Sequence, residues 1–156
     1  MKHGDETGWR NDGQNGAGWL FGTTDTAIVR FRHSRSGKVA QQVCGQDQLP
    51  GVLVVDRYNG YNKAPCNSPY CYAHLLPDVQ DWEQEFPDRE EIKTFVQTAA
   101  PLLAEAMKLR SLPSNDDEFY RRAATTKTEI IKIMNSEANH FGIQHIQNIF
   151  RDNSQR

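Results

Sequence analysis

Between Ala27 and His33 the chain alternates, with Val29, Phe31 and His33 on one face and Ile28, Arg30 and Arg32 on the other. This period of two predicts a half-buried antiparallel strand. Ahead of it, residues 4–10 read as an opening strand and Gly18–Thr23 as a second. The Asn, Asp and Gly residues of Asn11–Gly16 between them tolerate positive φ and mark a turn. Ser34–Cys44 fits a short helix carrying Val39, Ala40 and Val43, stopped by Gly45. Val52-Leu53-Val54-Val55 differs in kind. An unbroken aliphatic run predicts a strand buried on both faces, and here it ends on the carboxylate of Asp56. With helix before it and helix after it, that strand reads as a parallel member of an α/β sheet.

The second half changes period. Tyr72–Phe86 is helix-compatible up to Pro87, and Asp88–Arg110 sets Ile92, Phe95, Val96, Ala99, Leu102, Leu103, Ala106 and Met107 at helical spacing, with Pro101 expected to kink it. Ser111–Ser114 is a breaker. Asn115 and Glu118 form a capping-box-like start for a helix with Phe119, Ala123, Thr126, Ile130 and Ile133 on one stripe, expected to end near Gly142. This helix and the one before it are expected to pair antiparallel. Ile143, Ile146, Ile149 and Phe150 begin another amphipathic helix, whose apolar face has no visible partner in the sequence.

Composition narrows the class. A chain of 156 residues is about one domain by length, and its fifteen Phe, Tyr and Trp residues exclude wholesale disorder. No apolar run approaches the roughly 20 residues needed to span a bilayer. Three cysteines, Cys44, Cys66 and Cys71, are too few and odd in number for a disulfide framework, so the pattern points to a reducing compartment. Residues 1–63 hold eight Lys/Arg against six Asp/Glu, so positive charge concentrates in the strand-rich half although the whole chain is at −2.

Asp56 is the first candidate for chemistry, because open α/β sheets bind ligands at the carboxyl ends of their strands. Its bland alternative is a turn former or helix cap. Asp5 is the second: it lies inside the opening strand, where a charge pointing inward needs a reason. Arg30, Arg32, Arg35, Lys38 and Arg57 are candidate phosphate ligands or ordinary solvated surface. Cys66, Cys71 and His74, with His140 or His145, offer a zinc ligand set at a spacing unlike the usual tight cysteine pairs. Trp9, Trp19, Tyr58 and Tyr61 read first as packing aromatics, with base stacking as the alternative.

Five segments in order, His3-Gly4-Asp5-Glu6-Thr7-Gly8-Trp9-Arg10, Gly18-Trp19-Leu20-Phe21, Ser34-Arg35-Ser36-Gly37, Val52-Leu53-Val54-Val55-Asp56-Arg57-Tyr58-Asn59-Gly60-Tyr61-Asn62 and Cys71-Tyr72-Ala73-His74-Leu75-Leu76-Pro77-Asp78, resemble the central domain of bacterial insertion-sequence 66 family transposases. The resemblance implies a ribonuclease-H-like mixed sheet with an acid triad whose first two members are Asp5 and Asp56, on neighbouring parallel strands. It implies Mg2+ or Mn2+ held by those two aspartates, DNA as partner at insertion-sequence ends and target, oligomers or accessory transposition proteins, and a place in the bacterial cytoplasm with the nucleoid. Divided accordingly, residues 1–87 are the core, 88–140 a helical insertion and 141–156 the start of a further helix. The third acid, a Glu on a later helix, is expected only beyond Arg156. Glu137 is a superficial echo of it on the predicted insertion helix. The chain is therefore expected to be a fragment cut at both ends, binding metal weakly and inactive alone. The rival expectations are a non-catalytic DNA- or protein-binding remnant and a small zinc-binding module.

Overall fold

The computed structural model describes residues 1–111 and 115–154, and these divide into two compact units, Met1–Cys71 and a helical unit beginning at Tyr72. The first holds four strands, β1 (Lys2–Asn11), β2 (Gln14–Gly22), β3 (Ala27–Arg32) and β4 (Leu53–Val54), with helix α1 (Lys38–Cys44) between the last two. The sheet order is β3-β2-β1-β4. β1, β2 and β3 pair antiparallel and β4 lies parallel to β1. The hairpin closes through Asp12 and Gly13 at φ of 49° and 78°, the paired positive angles of a turn whose twist matches the strands it joins.

One face of this sheet is covered. Ala17, Trp19 and Phe21 of β2 pack with Val39 and Ala40 of α1, with Leu53 and Val55, and with Tyr61 from a 3-10 turn at Asn59–Lys63. Gly4 sits in this face because there is no room for more: a Cβ there would lie 2.9 Å from the Tyr61 ring and 3.3 Å from Val55. The other face is open. Trp9, Leu20, Val29 and Phe31 are exposed on it, and the rings of Trp9 and Phe31 lie 5.5 Å apart.

Two expectations for these strands are corrected. The alternating segment is not half-buried: β3 is an edge strand, Val29 and Phe31 face the open side, and only Ile28 is partly covered. Arg30 and Arg32 turn back onto the carbonyls of Val29 and Phe31, which sets charge along an otherwise unpaired edge. Nor is the aliphatic run buried on both faces. Leu53 and Val55 enter the core, whereas Val52 and Val54 stay half-exposed. Beyond β4, residues 65–71, rich in Cys and Pro and without a strand-like pattern, supply another neighbour. Parallel bridges join Val52 to Asn67 and Val55 to Tyr70, with Leu53 N–H donating to Asn67 O at 2.9 Å and Val55 N–H to Pro69 O at 3.0 Å.

The second unit is helical: α2 (Tyr72–Glu85), α3 (Glu90–Lys108), α4 (Asp116–Met134) and α5 (Phe141–Ser154). Residues 112–114 of the predicted breaker lie outside the described residues. Asn115 caps α4 as its sequence predicts, its Oδ1 accepting from Glu118 N–H at 2.8 Å. α4 stops earlier than expected, at Met134, because the Asn135 and Ser136 side chains bond back to the carbonyls of Ile131 and Ile133 and compete with the next turn. Glu137 therefore stands exposed in a loop, not on a helix. Gly142 is not a stop: it opens α5, where a Cβ would come within 2.6 Å of the Trp82 ring. Glu91 Oε1 accepts from Asn139 N–H at 2.6 Å, satisfying backbone just ahead of α5. The Ile stripe has its partner after all, since Ile143 and Ile146 are buried with Leu75, Val79, Ile92, Leu103 and Ile130. No helix among the described residues is long and apolar enough to cross a membrane.

Candidate metal centre

β1 and β4 register Lys2 with Leu53 and His3 with Val54. Carried two residues on, that register sets Asp5 beside Asp56. Adjacent parallel strands point corresponding side chains to the same side, so the two aspartates converge where β4 ends. Past that end the edge of β1 is open, and Glu6, which belongs to the covered face, reaches the same point. One oxygen from each of Asp5, Glu6 and Asp56 lies within 4.8 Å of the others.

The strand places these acids differently from the sequence expectation. Asp5 is exposed and Glu6 is the inward residue, 8% exposed overall with its side chain fully shielded. The alternation has this phase because Gly4 and Glu6 oppose Phe21 and Trp19 across β2, and both of those are core. Arg35 forms an ion pair with Glu6 Oε1. It also lies over the Tyr58 ring at 4.8 Å, while the Tyr58 hydroxyl donates to Arg35 O. Arg35 is thus engaged by groups of its own unit, although its side chain stays half-exposed. Arg30, Arg32 and Lys38 remain exposed.

Asp56 fills its bland role: its Oδ1 accepts from Tyr58 N–H at 2.9 Å, the turn-forming bond of an aspartate after a strand. That bond fixes the carboxylate. Burial raises the Glu6 carboxyl above its ordinary range, Arg35 opposes the rise, and the neighbouring Asp56 charge adds to it. Tyr61, fully buried, is pushed far above the usual phenol range by burial and then by the charges of Glu6, Asp56 and Asp5, so it stays protonated. Glu6 Oε2 and the Tyr61 hydroxyl are both buried without completing a hydrogen bond.

The donor set fits a hard divalent cation. Carboxylate oxygens suit magnesium or manganese, the Arg35 guanidinium offsets only one of the three clustered acids, and a desolvated oxygen is left without a partner. Among the described residues this is the one group of three or more Asp, Glu, His or Cys with that proximity, and no cysteine or histidine takes part in it. Cys44, Cys66 and Cys71 are free thiols; burial raises the Cys44 thiol, and nearby Cys66 raises it further.

A mixed sheet with covered and open faces and clustered acids at the end of its parallel pair defines an α/β protein with a candidate metal centre. A family model described as Transposase IS66 family matches residues 1–147, and the chain belongs to that family. No curated protein and no solved structure matches it.

Proposed function

We propose that the first unit carries the metal-binding core of a DNA-processing transposase domain of ribonuclease-H-like type. One observation carries the reading: the β1–β4 register that brings the carboxylates of Asp5 and Asp56 together. The fold assignment is supported by the sequence of elements, three antiparallel strands, a helix and a fourth strand parallel to the first, with residues 67–70 parallel on its far side. In this reading residues 88–140 are an insertion into that core.

Asp5 and Asp56 would hold the ion, and family membership favours magnesium or manganese. Such an ion, when bound, would polarise a phosphodiester and activate a water or 3′-hydroxyl for in-line displacement. Asp56 is oriented for this by Tyr58 N–H, and the exposed cations Arg30, Arg32 and Lys38 are available to DNA phosphates. The partner is DNA, at insertion-sequence ends and target. In this reading the chain binds a divalent ion through the strand acids and DNA through its exposed cations.

Phosphate oxygens complete the coordination of a carboxylate-held divalent ion, so the two ligands must assist each other reciprocally. Titrating Mn2+ into the chain with and without a duplex oligonucleotide should give tighter Mn2+ binding in the presence of DNA. The enhancement should vanish in Asp5→Asn. Mn2+ binding that is indifferent to DNA in the unmodified chain contradicts the proposal.

A further inference from the structure

We infer that Glu6 is a third carboxylate ligand of the metal centre, an inference that rests on the proposed centre at Asp5 and Asp56. Its side chain is fully shielded from solvent, and only Oε1 is engaged, by Arg35. Oε2 is buried with no hydrogen-bond partner, on a carboxylate that has an oxygen within 4.8 Å of oxygens of both aspartates.

Three features make a ligand role more economical than a purely structural ion pair. A carboxylate has about four acceptor sites, and a desolvated one normally fills them; here half of the group is left open. The carboxylate belongs to a cluster of like charges, where a neutral or hydrogen-bonding neighbour would have served a structural purpose better. Finally, a neutral donor beside it, the buried Tyr61 hydroxyl, interacts with Glu6 but makes no well-formed hydrogen bond to it. A cation accepted on that side satisfies Oε2 and offsets the repulsion from Asp5 and Asp56 together. Glu6 reaches the site because β4 stops short of it, so a side chain from the covered face meets one from the open face around the free edge of β1.

The test is Mn2+ affinity together with the number of inner-sphere waters, read from europium luminescence lifetimes in H2O and D2O. In Glu6→Gln, Mn2+ affinity should fall by about 10- to 100-fold, the loss typical of altered metal shells, and the europium-bound water count should rise by one. Glu6→Gln can keep the hydrogen bond from Arg35 but removes the ion pair, which puts the fold at risk. The pair Arg35→Met and Glu6→Gln/Arg35→Met differs only at position 6 and leaves no unpaired guanidinium; the same loss and the same added water should separate those two. Unchanged affinity and water count at position 6, with binding still lost in Asp5→Asn and Asp56→Asn, overturns the Glu6 role and leaves the two-aspartate centre standing. An unmodified chain that binds no Mn2+ overturns both.

Discussion

Asp56→Asn should weaken Mn2+ binding by at least about 10- to 100-fold, the range seen when even an outer partner of a metal ligand is altered, while the chain without metal stays folded. The separation of the two effects follows from what each oxygen of Asp56 does. Oδ1 accepts from Tyr58 N–H at 2.9 Å, and an asparagine Oδ1 accepts in the same way, so the turn that leads into the 3-10 segment is kept. What the substitution removes is charge. It also removes one member of a crowded trio of anions, so thermal stability without metal should hold or rise slightly. An Mn2+ titration followed by electron paramagnetic resonance, with thermal melts run alongside, reads both quantities. Equal affinity in the variant would reduce Asp56 to a turn former.

Trp19→Ala should destabilise the first unit by about 3–5 kcal/mol, the cost of truncating a large buried aromatic. Trp19 has no exposed surface and stands at the centre of the covered face. Its ring lies 6.1 Å from Phe21, 6.1 Å from Tyr58 and 5.6 Å from Tyr61. Tyr61 in turn packs beside Gly4, the residue preceding the acidic pair. Emptying the Trp19 position therefore removes the support behind the acidic cluster, and Mn2+ binding there should fall in step with the folded fraction. Trp19→Phe should cost less, both because most of the apolar surface is retained and because the buried Nε1, which has no acceptor, goes with the indole. Urea unfolding monitored by far-ultraviolet circular dichroism checks the order. A Trp19→Ala chain as stable as the unmodified one would mean that this core does not hold the sheet together.

What the sequence makes legible is what depends on local chemistry or on motif order. Asp12-Gly13 closes the hairpin because both positions take positive φ, Gly45 ends α1 at φ 84°, and Asn115 begins α4. The meeting of Asp5 and Asp56 is foreseen from the family's strand order, and the register realises it. What stays hidden depends on neighbours distant in sequence. Two adjacent acids leave the phase of β1 undecided. Only the opposition of Gly4 and Glu6 to Phe21 and Trp19 shows that Glu6 points in, although the small-then-acidic alternation facing two aromatics was a usable signal. β3 carries the pattern of a half-buried strand because alternation reports an apolar face without reporting what covers it. Residues 67–70, Asn-Ser-Pro-Tyr, carry no alternating apolar pattern, yet they bridge to β4 by lending carbonyls to Leu53 and Val55. The Ile stripe of α5 has its partner in helices dozens of residues upstream, which helical spacing alone cannot name.

The most direct test of the metal centre is paramagnetic broadening by substoichiometric Mn2+ in the amide spectrum of the 15N-labelled chain. Amides of Gly4–Thr7 and of Val55–Tyr58 should broaden first and together, because the proposed ion would lie between two strands that are far apart in sequence. Broadening of one of these segments without the other, or first broadening at the acidic helix starts around Glu90–Glu91 or Asp116–Glu118, would contradict a shared centre at Asp5 and Asp56.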